Sequence, residues 1–381
     1  MGGSRGSIGA DATLRLWVLA GGRCEYCNRY LLEDEYTTYA YNLAERAHIV
    51  GATESSGSPR GVDSLPLDQR EEPENLMLLC REHHRLIDSL IEEHTVDGLH
   101  QMKRLHEERI HLLTGLTDEA ETLVVRAVGG IRGAPVEIPR AAVLPAVRAD
   151  GRFPRYRLAL AGEDLEIDLR QLPEEGGTDY WTFGERIIAE RLSRLREAQG
   201  SVHHVSLFAL SRIPFLVALG FHLDDKIPTT VYARRRGGTG DQGWGYEQKA
   251  DPVGFRLKHL SGSDNDGVAL AVSLTAPIGG EVVKLVGERA VYEIVPEGDE
   301  FGRDLFSARA SLDAFADTYH RFLALLEEHH DGCKELHLYI AAPAPAAITL
   351  GRGIMRDSQP ILVVHDRNAT GTFESVLRLE R

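Results

Sequence analysis

Two short knuckles near the N-terminus, Cys24-Glu25-Tyr26-Cys27 and Cys80-Arg81-Glu82-His83, constrain this chain more than any other feature. Four nitrogen and sulfur donors, two on each knuckle, match the tetrahedron of a structural zinc ion, and closed sites of this kind hold small folds together. A lone Cys-x-x-Cys reads equally well as a redox pair. The third cysteine and the histidine at matched spacing turn the reading toward metal. Cys80 would also suit an ordinary buried thiol. His83 and His84 are adjacent and can exchange roles, because spacing does not say which of them faces which ion.

His48, Asn75 and His84 are left without a part in that zinc site. They are the residue types that metal-dependent phosphodiester hydrolysis needs. The string Cys24-x-x-Cys27, His48, Asn75, Cys80-x-x-His83-His84 resembles the HNH (ββα-metal) nucleases, over roughly residues 14–112. The resemblance implies two strands and a helix gripping one divalent ion, Mg²⁺ or Mn²⁺. It implies that His48 is the general base for the attacking water, that Asn75 holds the loop orienting His48, and that His84 binds the ion at the start of the helix. Asp88 lies four residues after His84, so a helix brings both to one side, and Asp88 is the candidate second ligand. Many family members carry a metal-binding Asp or His just before the first His, where this chain has Ala47. Either the ion uses fewer protein ligands and more water, which Mg²⁺ tolerates, or a nearby acid such as Glu45 contributes.

The chain has 381 residues, enough for two or three domains, and its 43% hydrophobic and 27% charged content is ordinary for a globular protein. No apolar run reaches the length of a membrane span, and the first residues lack the apolar core of a signal peptide. With three of the four cysteines given to zinc, Cys333 reads as a small core residue. No disulfide framework is expected, and a reducing cytoplasm fits. The formal net charge of -15 argues against constitutive nucleic-acid binding, since phosphate neutralisation by Lys and Arg supplies most non-specific affinity. It suits a nuclease that stays off until assembled.

Residues 11–20 read as a helix capped by Asp11 or Thr13. Tyr36–Ile49 and the segment up to Leu79 should hold the two strands, separated by a Gly/Ser/Pro-rich loop from Gly51 to Pro73. A helix over 83–92 and a second one ending near residue 113 complete a domain over 1–115. Residues 116–154, punctuated by Gly and Pro, read as a connector with a strand or two, at Val124-Val125 and Val136–Ile138.

The remainder, 155–381, contains an internal repeat. His204–Ala209, Pro214, Leu219-Gly220, Pro228 and Thr230–Tyr232 are answered by Leu336–Ala341, Pro345, Leu350-Gly351, Pro360 and Leu362–Val364. Each copy follows an amphipathic helix, Phe183–Leu195 or Phe315–Leu326. Each reads as helix, buried strand, Pro-opened helix ending near Gly, and second buried strand. Continuous apolar strands alternating with helices imply a mostly parallel sheet. The units are placed at about 155–265 and 266–381.

Such units bind ligands outside the carboxyl ends of their strands. Those ends carry Ser211 and Arg212 in the first copy, Ala342–Ala344 in the second, and Thr275 after the apolar strand Leu270–Leu274. Arg234 to Arg236, a glycine-rich loop, Trp244 and Tyr246 suit a nucleotide, with charge for phosphates and rings to stack on a base. A solvated basic turn, a surface ion pair at Arg212 and a core ring at Trp244 are the plainer alternatives. No Gly-x-Gly-x-x-Gly follows either strand, which disfavours a dinucleotide cofactor.

This half resembles the SAVED domain, two fused CARF-like units that sense cyclic oligonucleotides in bacterial anti-phage (CBASS) systems. The order of the marks carries the resemblance: the Phe208–Leu210 strand, Ile213-Pro214 to Leu219-Gly220, the Pro228–Tyr232 strand, the Trp244 loop and the degenerate second copy. The whole chain resembles the HNH-SAVED effector nucleases. The expected fold is therefore mixed α+β and α/β: a zinc-stabilised ββα-metal domain followed by a pseudo-symmetric double Rossmann-like domain. The resemblance implies a double-stranded DNA substrate with little sequence preference. It also implies a cyclic di- or trinucleotide activator (a dinucleotide favoured), a partner synthase, and a homo-oligomer, dimer to tetramer, on activation. Alternatives are an inactive HNH fold serving as a ligand-controlled binding module, a restriction-type HNH enzyme, and a hydrolase of small nucleotides.

Overall fold

The computed structural model describes residues 7–34, 37–131, 134–158, 164–173, 178–197, 202–235, 243–355 and 359–380. Tyr36, Arg236 and the glycine-rich loop after it lie outside the described residues. Contacts divide the chain into two units, Met1–Leu116 and Thr117–Arg381.

The first unit begins with α1 (Ala10–Leu19). Its N-cap is Gly9, with no side-chain cap, so neither Asp11 nor Thr13 takes that role. Strands β1 (Ala44–His48) and β2 (Leu76–Cys80) pair antiparallel, Ala44 opposite Cys80 and His48 opposite Leu76. β2 is buried along its whole length, which is why it reads as an unbroken apolar run. Cys80 is at once the last strand residue and the N-cap of α2 (Arg81–Ser89). This join sets the second knuckle at the start of the helix. α3 (Val96–Thr114) follows, capped by Thr95, whose hydroxyl accepts from Gly98 N at 3.2 Å. Leu16, Leu31, Ala47, Ile49, Leu76 to Leu79, Ile87 and Leu99 form the core.

The second unit contains two sheets. The first is built from β3 (Glu121–Ile131), β4 (Ala134–Pro135), β5 (Phe153–Arg155), β6 (Glu166–Leu169), β7 (Val205–Leu210) and β8 (Thr229–Val231). Its helices are α4 (Arg140–Ala149), α5 (Thr178–Glu197) and α6 (Ile213–Leu223). The second sheet holds β9 (Phe255–Ser261), β10 (Asp264–Ser273), β11 (Arg289–Pro296), β12 (Glu335–Ala341), β13 (Ile361–Arg367) and β14 (Phe373–Leu379), with α7 (Gly279–Val286), α8 (Arg309–His329) and α9 (Ala344–Arg352).

Both sheets have the same parallel centre. β3 lies between β6 and β7, with β8 beyond. β10 lies between β11 and β12, with β13 beyond. The second sheet adds antiparallel edges, β9 and β14. The repeat therefore runs β3, α4, β6, α5, β7, α6, β8 against β10, α7, β11, α8, β12, α9, β13. This corrects two expectations. Residues 116–154 are not a connector, because β3 is the central strand of the first sheet, with Leu123, Val124, Val125, Ala127 and Val128 all buried. The first copy accordingly starts before residue 155. Val136–Ile138 forms no strand.

Gly220 and Gly351 lie near the ends of their helices, as expected. Each sits inside one, where α6 and α9 cross. A methyl group at Gly220 would overlap Ile348 O, and one at Gly351 would overlap Val217 O. Only glycine permits this backbone-to-backbone approach. The matched positions make the crossing the approximate symmetry axis of the repeat.

Candidate functional site

Cys24, Cys27, Cys80 and His83 come together with their donor atoms all within 4.8 Å of one another. The knuckle is a tight turn: Cys24 N donates to Arg29 O at 2.9 Å and Asn28 N to Cys24 O at 2.8 Å, with Asn28 at φ 63°. Cys80 Sγ lies 2.9 Å from His83 Nδ1, and Tyr26 stacks on the His83 ring at 4.3 Å. Burial, reinforced by the neighbouring thiols, pushes the Cys80 thiol up to about 12. Three thiols and an imidazole fit a tetrahedral metal site, and a bound ion is what would deprotonate the thiols.

The remaining polar residues form a second constellation on the hairpin and α2. His48 ends β1, and Glu71 Oε2 is 3.4 Å from its Nε2. Asn75 is buried just before β2. Its Oδ1 accepts from Val50 N at 2.8 Å, and its Nδ2 donates to Val50 O and Arg70 O, both at 2.9 Å. It thereby fixes the backbone two residues after His48. His84, one turn into α2, meets a carboxylate at each ring nitrogen: Glu45 Oε2 at 2.7 Å from Nδ1 and Asp88 Oδ2 at 3.4 Å from Nε2. The two flanking carboxylates, Asp88 and then Glu45, together outweigh burial and raise the His84 imidazole above its ordinary range. Burial pushes the Asp88 carboxyl up, but the hydrogen bonds and charges of His84 and Arg60 together bring it below the usual range. Ala47 is fully buried in the core and offers nothing to an ion. His84 and Asp88 thus provide one nitrogen and one oxygen donor, a set that suits a small hard cation keeping several waters.

In the second unit a cavity of about 770 Å³ opens at the carboxyl ends of β7, β12 and β8. Ser211, Arg234, Arg235, Trp244, Thr275 and Arg303 are among its walls. The first residues of α6 and α9, Ile213 and Ala344-Pro345, also face it, and neither helix has a side-chain N-cap. Two helix N-termini thus bring partial positive charge to one space. Ser211 Oγ is buried and has no hydrogen-bond partner among the described residues. It packs against Gly129, where a methyl group would overlap it.

Two expected ligand residues are placed away from this cavity, and a third is packed into its wall. Arg212 does not line the cavity; its guanidinium bonds Asp366 Oδ2 at 2.6 and 3.2 Å and lies over the Trp181 ring. Tyr246 faces a different cavity of about 470 Å³ beside α8, and its hydroxyl donates to Val231 O. Trp244 touches the cavity but is buried to 6% exposure, edge-on to Phe208, which stacks on Tyr232. It is a tightly packed part of the cavity wall.

Comparison with known proteins matches these two units. Residues 24–90 match the HNH endonuclease family. Residues 185–379, just over half of the chain, match SAVED, the SMODS-associated and fused to various effectors sensor domain. The chain belongs to the SAVED family. Its N-terminal unit carries an HNH endonuclease domain, joined in the same chain to the SAVED domain. Among solved structures it is similar to the Cap4 SAVED/CARF-domain containing receptor of Acinetobacter baumannii with the cyclic trinucleotide 3'3'3'-cAAA. That match is 11% identical over 80% of this chain and 63% of that one, with a TM-score of 0.45. The Cap4 receptor of Moraxella osloensis matches at 11% identity, covering 78% of this chain and 60% of that one, with a TM-score of 0.40. The chain thus spans under two thirds of the length of these receptors. No curated protein matches it.

Several residues of the HNH and SAVED sites carried no local signal. In the HNH domain Arg60, its side chain 4% exposed, donates to Ile49 O at 2.7 Å, Ile87 O at 2.6 Å and Asp88 Oδ1 at 2.8 Å. It ties the strand end bearing His48 to the helix bearing Asp88. Fully buried Arg70 staples the 51–73 loop through Gly51 O at 2.7 Å and Gly61 O at 3.0 Å. Both sit in a polar loop, where an arginine reads as solvated. In the SAVED domain Arg303 joins the cavity from the loop after β11, far in sequence from the other cations.

Proposed function

We propose that the protein is a latent, metal-dependent DNA endonuclease, switched on when a cyclic oligonucleotide occupies the SAVED cavity. The observation that carries this reading is the cavity itself. Arginines at 234, 235 and 303, the unpartnered Ser211 hydroxyl and two helix N-termini converge there, an environment built for a ligand with several phosphates. The 770 Å³ volume suits a cyclic di- or trinucleotide better than a single nucleotide.

In the HNH domain, Cys24, Cys27, Cys80 and His83 suit a structural zinc ion that does no chemistry. His84 and Asp88 suit Mg²⁺ or Mn²⁺. His48 takes the proton from the attacking water as that oxygen bonds to phosphorus. The bond to the 3′ oxygen breaks, leaving a 5′-phosphate. Asn75 keeps the His48 strand end in place. A divalent ion held by His84 and Asp88 would supply charge stabilisation for the phosphoryl and leaving oxygens. With a net charge of -15, a single chain is a poor DNA binder. Activation is therefore assembly of two to four chains, driven by a messenger that binds the assembled state more tightly. A differential affinity of about 5.5 kcal/mol takes the active fraction from 1% to 99%. The role is cytoplasmic anti-phage defence alongside a cyclic-nucleotide synthase.

Plasmid cleavage in Mg²⁺, with and without a panel of cyclic di- and trinucleotides, tests both halves. Cleavage should require one messenger and vanish in His48→Ala. Cleavage without messenger would sink the sensor reading. Tight messenger binding with no cleavage would favour a ligand-controlled binding module, which buried Ala47 would then explain.

A further inference from the structure

We propose that Glu45 is the positioning residue of the catalytic metal site: it accepts the Nδ1 proton of His84 and so presents Nε2, beside Asp88, to the ion. The proposal rests on the nuclease reading above and assigns the two carboxylates that flank His84 to different tasks.

The geometry separates them. Glu45 Oε2 is 2.7 Å from Nδ1, the length of a good N–H to carboxylate bond. Asp88 Oδ2 is 3.4 Å from Nε2, long for a hydrogen bond. It is close to the spacing, on the order of 3 Å, of neighbouring donors around one small divalent ion. Asp88 is also anchored on its far side, where Oδ1 accepts from buried Arg60. Arg60 cannot turn away, because its other nitrogens hold Ile49 O and Ile87 O. The carboxylate therefore keeps one oxygen aimed at Nε2. Glu45 pairs with no lysine or arginine among the described residues; it pairs with His84. Strand alternation puts Glu45 and Ala47 on one face of β1. Ala47 is buried in the core, whereas the longer Glu45 side chain reaches the first turns of α2. A metal-binding imidazole typically has its second nitrogen fixed by such a carboxylate. This chain thus supports its helix-borne ligands from behind, in place of a strand ligand at position 47.

The test is Mn²⁺ binding by calorimetry to the full-length, zinc-loaded protein, paired with messenger-activated plasmid cleavage across a Mn²⁺ series. Glu45→Gln lets an amide face Nδ1 in either orientation and removes the tautomer lock. Mn²⁺ affinity should fall about 10- to 100-fold, with zinc content and thermal unfolding unchanged. Because Glu45 acts through His84 and not on the reacting atoms, cleavage should return close to the wild-type rate at saturating Mn²⁺. Asp88→Asn should weaken binding at least as much, and extra Mn²⁺ should restore cleavage less completely. Wild-type Mn²⁺ affinity in Glu45→Gln, with cleavage intact, would overturn the Glu45 assignment and leave the nuclease reading standing. Wild-type affinity in Asp88→Asn would mean that the ion makes no use of the Asp88 charge beside Nε2, and would overturn it too. A wild-type protein that binds no Mn²⁺ beyond its zinc would overturn both.

Discussion

His204 and His365 show how much individual residues of the SAVED domain depend on burial. Thr122 and Thr230 hydroxyls flank His204 at 2.8 and 3.2 Å. His365 stacks on Tyr339 and meets His337 at 3.0 Å. Burial first, then neighbouring positive charge, holds both imidazoles down at about 4. In the unfolded chain they return to about 6.5. Between those values the unfolded state binds more protons than the folded one. Each ring therefore removes stability as pH falls through that window, and the full contribution is present above it. Denaturant titrations of the SAVED transition at pH 7, 6 and 5 should give steadily lower midpoints. His204→Gln should make the fall shallower by about one proton; an unchanged slope would mean that His204 keeps an ordinary value.

Elements of the second unit owe their arrangement to a few matched positions. α6 and α9 both open with proline, Pro214 and Pro345, in the first turn, where no backbone donor is lost. Both carry a glycine where they cross. The crossing brings backbone against backbone, so no rotamer change can make room. Gly220→Ala and Gly351→Ala should each cost about 3 kcal/mol or more, at the upper end for overpacking. The denaturation midpoint of the SAVED unit should drop accordingly. Messenger affinity should fall with it, because the same helices present their N-termini to the cavity. A midpoint within error of wild type in both variants would show that the helices can slide apart at little cost.

For the whole molecule, the two units hold together by different means. The SAVED unit has a continuous apolar core from Leu123 to Leu379. The HNH unit has a small one, and its two knuckles rely on the four metal donors. Without an ion, the buried Cys24 and Cys80 thiols keep only the other donors of the cluster for partners, and metal-binding energy is folding energy in such domains. Chelation with phenanthroline should abolish the HNH unfolding transition in calorimetry and leave the SAVED transition at its original temperature. Loss of both together would mean that the units unfold as one.

Much of this was legible in the chain. Cys24, Cys27, Cys80 and His83 announce a cluster of metal-type donors because ligand chemistry fixes spacing. β2, β7, β10 and β12 announce themselves because strands buried on both faces need unbroken apolar runs. The helix-strand repeat follows from the same periodicity, which is local. The start of the repeat was not legible: β3 lies among glycines and prolines, and only its pairing with β6 and β7 makes it the centre of a sheet. Nor could spacing say that Arg60 braces Asp88, that Arg212 is held by Asp366, or that Tyr246 turns to Val231. Long polar side chains have many rotamers, and their choice depends on partners distant in sequence. The sequence by itself determined the two kinds of domain and the residues able to do chemistry. Only the tertiary structure decided which acid stands at each nitrogen of His84 and which cations share the cavity, because those pairings are made across loops and between elements, where no local pattern reaches.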